Sequence, residues 1–148
     1  MSDTASNFLG DTVGSRQLGD LAKDALIEYF KDATDMPALR TACEDLEHEV
    51  KDLRLAFGIE LKRGDWQDIE NNPKINAGLA AVKDQLQRLS DQLELASVKS
   101  KGLELCHKRS EDLLQQLKSI TEDSGGKWIR WYETHRKTVT LSRTPLDI

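Results

Sequence analysis

Residues 37–58 read PALRTACEDLEHEVKDLRLAFG, and their apolar spacing decides the fold. Leu39, Cys43, Leu46, Val50, Leu53 and Phe57 recur at intervals of 4, 3, 4, 3 and 4. That alternation is the narrow stripe of a helix packed as in a coiled coil. Pro37 suits a first helical turn, where its missing N–H costs little. Asp35 is placed to cap that turn, and Gly58 supplies a C-terminal stop. Glu44, Asp45, Glu47, Glu49, Lys51, Asp52 and Arg54 lie off the stripe and predict a solvated face.

The same rhythm extends to both sides. Upstream, Gly10 and Gly14 break residues 3–14, and Ser15 is placed to cap a helix. Its apolar face is Leu18, Leu21, Ala22, Ala25, Leu26, Tyr29 and Phe30. Downstream, residues 59–72 read as a connection anchored by Trp66. Asn72 and Pro73 then open a helix striped by Ile75, Leu79, Val82, Leu86, Leu89, Leu93 and Ala96. Residues 97–102 predict a tight turn, because a second stripe follows that can bury the first within one chain; the alternative is one continuous helix of about 50 residues, roughly 75 Å long. That stripe is Leu103, Cys106, Ser110, Leu113, Leu117 and Ile120.

After residue 122 the period changes. Trp128, Ile129, Trp131, Tyr132, Val139 and Leu141 are strand formers, with the turn expected at residues 134–137. Ile129 and Trp131 share one face of the first strand, and Trp128 and Tyr132 flank Arg130 on the other. Both faces therefore carry aromatics. One can face the helices, and the other calls for a different cover, a ligand, or a missing part of the protein. The expectation is one mainly α domain over residues 1–148. It is an antiparallel bundle of three to four long helices (residues 15–122) with a C-terminal β-hairpin (residues 127–143).

Composition fits that shape. The chain has 148 residues, 38% hydrophobic and 32% charged, which suits helices with charged outer faces. No stretch approaches the roughly 20 apolar residues of a membrane span. The first residues have neither the basic nor the apolar region of a secretory signal, so a cytoplasmic setting is expected. Cys43 and Cys106 sit on apolar stripes and read as buried thiols.

Enzyme signatures are missing. There is no phosphate loop or nucleophile elbow, and His48, His107 and His135 lack a metal-site motif. No catalytic residue and no metal ligand is assigned. Charge is more informative. The net charge is −5, yet residues 127–148 hold five basic and two acidic residues, with three of the eight aromatics. Basic residues interleaved with aromatics suit single-stranded nucleic acid, charges tracking phosphates and rings stacking on bases. The candidates are Lys127, Trp128, Arg130, Trp131, Arg136 and Lys137. The competing reading is a hairpin packed on the bundle by its own tryptophans. Two further basic clusters are Lys62 and Arg63 beside Trp66, and Lys99, Lys101, Lys108 and Arg109 around the predicted turn.

Two end segments stand out: Asp3, Thr4, Ala5, Ser6, Asn7 and Phe8, then Ser15, Arg16, Gln17 and Leu18; and Trp128 to Glu133, with Val139 to Ile148 ending in Thr144, Pro145, Leu146 and Asp147. They resemble DinG-type DNA helicases, especially their YoaA-like branch, the first segment the stretch after the family's Asp-Glu-Ala-His box and the second the return to the motor domain. Ser100 to Arg109 is similar to a helix start in the family's helical insertion. The resemblance implies the helical insertion called the arch in the related XPD helicases. It would be a noncatalytic accessory domain of an ATP-dependent 5′-to-3′ helicase in DNA repair, helping to shape the single-strand path. Its implied partners are single-stranded DNA and the motor domain of the same polypeptide, with no membrane. ATP and Mg, and an iron–sulfur cluster, are then expected only elsewhere in the parent, and no cofactor in this chain. A different class, a free-standing helical interaction or self-association module, would use the heptad stripes for a partner helix.

Overall fold

The computed structural model describes residues 10–122 and 127–146. Residues 3–8, the Gly125-Gly126 break and the final two residues, all used in reading the sequence, lie outside the described residues. The elements are β1 (Asp11–Gly14), α1 (Ser15–Asp32), α2 (Pro37–Ala56), β2 (Arg63–Asp65), α3 (Pro73–Ala96), α4 (Lys101–Thr121), β3 (Trp128–Thr134) and β4 (Val139–Pro145). A 3₁₀ turn, Trp66–Asp68, follows β2. Among the described residues the protein is mainly α, with four α-helices and an antiparallel pair at the C-terminal end, as the periodicity predicts.

The stripes form the core. Leu39, Cys43, Leu46, Val50 and Leu53 of α2 are all buried, as are all seven stripe residues of α3 and all six of α4. Each fully buried leucine contributes about 1.5–3 kcal/mol relative to leaving it in water. Asn72 caps α3, its Oδ1 accepting from the N–H groups of Lys74 and Ile75 at 3.0 and 3.1 Å. Ser100 caps α4, its Oγ accepting from Leu103 N–H at 3.1 Å, so residues 97–102 do form the turn. Gly58 takes φ +84° just beyond α2, a backbone that suits glycine.

Four expectations are corrected. Ser15 is the first helical residue and Gly14 the cap; Gln17 Oε1 accepts from Gly14 N–H at 2.9 Å. Ser15 Oγ accepts instead from Val139 N–H at 2.9 Å, tying α1 to β4. Met36, not Asp35, precedes Pro37 as the cap, with no side-chain hydrogen bond. Phe30 is 55% exposed, packed edge-on against Tyr29 with the Arg40 guanidinium over its ring. Arg54, expected on the solvated face, is buried: its guanidinium donates to the carbonyls of His135 and Gly58 at 2.8 and 2.7 Å.

The largest difference concerns the hairpin, which is the centre of a four-stranded antiparallel sheet ordered β1-β4-β3-β2. Asp11 lies opposite Arg143 on β4, and Arg63 opposite Glu133 on β3. Edge strands of three or four residues are too short to show alternation, and both contain glycine. The turn spans residues 135–138, and His135 N–H donates to the Thr138 carbonyl at 2.8 Å. Helix ends and starts meet this sheet at one end of the bundle. Val13, Tyr132, Val139 and Leu141 point inward and close the core there.

The two thiols are free and buried. Burial, then the Cys106 thiol and the charges of Glu44 and Glu47, pushes Cys43 up to about 12 from an ordinary 9.0. Between these values the unfolded chain loses this proton while the folded chain keeps it. The unfolded state then binds fewer protons, so stability that is complete below about pH 9 falls as pH rises toward 12. Unfolding free energies measured by urea titration from about pH 8 to about pH 10.5 should therefore fall more steeply for the native chain than for Cys43→Ala, by up to about 1.4 kcal/mol per pH unit. Parallel curves would contradict the assignment.

Candidate nucleic-acid interface

Strand alternation sorts the β3 side chains. Trp128, Arg130, Tyr132 and Thr134 point toward the helices; Ile129, Trp131 and Glu133 point away. The sequence shows the alternation. Which face turns inward is settled by packing: Tyr132 is 2% exposed and lies against Phe57, with ring centres 5.3 Å apart. Gly64 sits opposite Tyr132, and a Cβ there would come within 2.5 Å of the phenol ring. β2 can pair at this position because it carries no side chain.

Two of the six candidates, Arg130 and Trp128, are engaged in contacts that hold the sheet together and tie it to the helices. The Arg130 guanidinium lies 4.8 Å from the Trp66 ring centre and donates to the carbonyls of Ile120 and Thr121 at 3.1 and 3.4 Å. It thereby satisfies carbonyls that the end of α4 leaves without helical partners. Trp128 carries the Arg143 guanidinium at 3.7 Å from its ring centre, and Arg143 Nε donates to Asp11 Oδ2 at 2.7 Å. These contacts join β1, β3 and β4 at one corner of the sheet.

The other four are accessible. Lys127, Arg136 and Lys137 are exposed, and Trp131 is partly exposed on the outer face. Arg136 and Lys137 sit together in the turn. Lys127 lies at the opposite end of β3, roughly 25 Å away at about 3.3 Å per residue. The structure therefore does not gather all the candidates into one patch.

It adds residues that the sequence reading left out of the site. Thr134 Oγ1 donates to the Glu60 carbonyl at 2.7 Å and accepts from Lys62 N–H at 2.9 Å, while Thr134 N–H donates to the Lys62 carbonyl at 2.8 Å. This clasp brings Lys62 and Arg63 beside the β3–β4 turn, although more than 70 residues separate them from Arg136. The Arg63 guanidinium lies 5.1 Å from the Trp131 ring centre, within cation–π range. Electrostatic attraction to the Tyr132 side-chain oxygen, then a hydrogen bond to it, holds the Lys62 ammonium above its ordinary pKa, with Glu60 adding. The signal was the Lys62-Arg63 pair beside Trp66 in a connection with no helical period.

The third basic cluster is largely neutralised. Lys99 pairs with Asp35 at 3.0 Å, Lys101 with Glu104 at 3.0 Å and Arg109 with Asp24 at 2.9 Å. Lys99 and Lys101 hold the carboxyls of Asp35 and Glu104 below their ordinary values. No ion pair of this kind engages Lys62, Arg63, Arg136 or Lys137 among the described residues. His48 Nε2 and Asp52 Oδ2, one helical turn apart, lie 3.2 Å from each other; with Glu49 they gather three ligating atoms within 4.8 Å on the solvent side of α2. That grouping passed unnoticed in the sequence. Among the described residues, no helix is long and apolar enough to cross a membrane.

No family model and no solved structure matches the chain. Two curated proteins do, both named ATP-dependent DNA helicase YoaA. The relative from Haemophilus influenzae is 31% identical over 149 residues, and that from Escherichia coli 30% identical over 148 residues. Each alignment covers 100% of this chain but only 23% of the relative. From end to end, then, the chain is similar to one segment, about a quarter in length, of the ATP-dependent DNA helicase YoaA of two bacteria.

Proposed function

We propose that the chain is an arch-like, noncatalytic insertion of a DinG-type, ATP-dependent 5′-to-3′ DNA helicase acting in DNA repair. In that setting it lines part of the single-strand path. One observation carries the DNA-contacting role. On an acidic chain, Lys62 and Arg63 come from a distant segment to lie beside the β3–β4 turn that carries Arg136 and Lys137, the Arg63 guanidinium lies over Trp131, and no salt bridge engages these four among the described residues. Charges that track phosphates next to an aromatic ring suit a single strand. The first and last strands support the insertion. Asp11 lies directly opposite Arg143, so a host can carry the domain on two crossings roughly 5 Å apart. The heptad stripes that would serve a separate interaction module are spent inside the bundle. ATP, Mg and any iron–sulfur cluster belong in this reading to the rest of the parent, as does the motor domain against which the sheet would rest. A cytoplasmic setting goes with that role.

Fluorescence anisotropy with a labelled oligo-dT of about 15 nucleotides tests the proposal. Four phosphate contacts predict a salt slope near −3, so affinity should fall about 50-fold between about 50 and about 200 mM salt. Absent or salt-independent binding would overturn it.

A further inference from the structure

Between β2 and β3, on the outer side of the sheet, lies a shallow, open notch of about 260 Å³ lined by Arg63, Gly64, Asp65, Ile129, Arg130 and Trp131. That lies just under the roughly 300 Å³ at which drug-sized pockets begin, a size suited to one flat ring system. The side chains around it have distinct chemistry. Trp131 offers an indole surface, and Ile129, 49% exposed, offers an apolar edge two residues along the same strand. Asp65 stands directly opposite Trp131 in the pairing of β2 with β3 and is exposed. Arg63 is the diagonal neighbour of Trp131 and lies over its ring.

Two arginine–tryptophan pairs in this sheet differ in how firmly they are seated. Arg143 lies 3.7 Å from the Trp128 ring centre and is fixed by a buried ion pair. Arg63 lies 5.1 Å from the Trp131 ring centre and is exposed. A planar group can therefore stack on Trp131 while the Arg63 guanidinium turns to a neighbouring phosphate. The acids decide which part of a nucleotide enters. Asp65, with Glu133 on the same face, repels a phosphate at the tryptophan and leaves the backbone to the basic turn. What Asp65 attracts is a hydrogen-bond donor. A carboxylate accepts two parallel bonds, and guanine presents adjacent N1–H and N2–H donors on its Watson–Crick edge; thymine does not.

We infer that this notch is a nucleobase subsite, with Trp131 as the stacking platform and Asp65 selecting guanine over thymine. The subsite rests on the single-strand reading above. Phosphates run along Lys62, Arg63, Arg136 and Lys137, and one base turns inward onto the sheet.

The test uses the 148-residue chain, with circular dichroism confirming that each variant is folded. Anisotropy titrations compare oligo-dT, d(TTG)5 and an abasic strand of the same length. The native chain should prefer d(TTG)5 to oligo-dT about fivefold or more, the lower end of a bidentate base contact. Asp65→Ala should bring that ratio to about one without weakening oligo-dT. Trp131→Ala should weaken both base-bearing strands about fivefold or more and leave the abasic strand unchanged. Salt-dependent binding that ignores all of these changes overturns the subsite and leaves the single-strand reading standing. No binding to any strand overturns both.

Discussion

Arg54→Ala should lower the unfolding free energy by about 2–4 kcal/mol. The side chain is 8% exposed and makes two short hydrogen bonds to carbonyls, one beyond its own helix and one in the β3–β4 turn. Hydrogen bonds from charged donors contribute about 1.5–3 kcal/mol each. Both carbonyls lie in surface segments where water can take over part of the loss, which keeps the total below the sum. For a chain of this length the midpoint of thermal unfolding should drop by about 5–15 °C. Arg54→Lys keeps the charge but not the two-pronged donor, so it should recover only part of the loss. Urea denaturation of the three proteins decides. An alanine variant within about 0.5 kcal/mol of the native chain, the range of ordinary surface changes, would show that the clip does not hold the turn.

The double reversal Arg136→Glu, Lys137→Glu should leave that stability almost unchanged, because both side chains are exposed in the turn. Its effect should fall on DNA. Two lost phosphate contacts make the salt slope about 1.4 shallower, and two added repulsions weaken oligo-dT binding at least about tenfold at about 50 mM salt. The same double reversal at Lys101 and Arg109 should do little, since those side chains are already paired with Glu104 and Asp24. Equal losses from both variants would mean that binding follows net charge alone.

The helices were legible because their signal is repeated. Eighteen apolar-stripe positions along α2, α3 and α4 turned out buried, and the caps at Asn72 and Ser100 follow from local chemistry. Arg54 was misplaced for a general reason. Position on a helix says which face a residue occupies, but not that a strand turn from 81 residues later will cover it. β1 and β2 were missed because three or four residues leave no period to read. They exist because β3 and β4 offer them free edges to pair with. The site was legible in part. Charge and aromatic content mark the hairpin as the basic end of an acidic chain. They did not separate Trp131, which faces outward, from Trp128 and Arg130, whose partners come from β1, β4, α4 and the Trp66 turn. Nor did they join Lys62 and Arg63 to the turn, since that step depends on the Thr134 clasp.

The central claim is that this end of the sheet, not the acidic bundle, meets the DNA backbone. The most direct measurement is the salt slope of oligo-dT binding for two fourfold variants. In one, Lys62, Arg63, Arg136 and Lys137 become Gln; in the other, Lys99, Lys101, Lys108 and Arg109 do. The slope of about −3 should collapse toward zero in the first variant and persist in the second. A slope that survives the first and vanishes in the second would contradict the account and move the strand to the far end of the bundle.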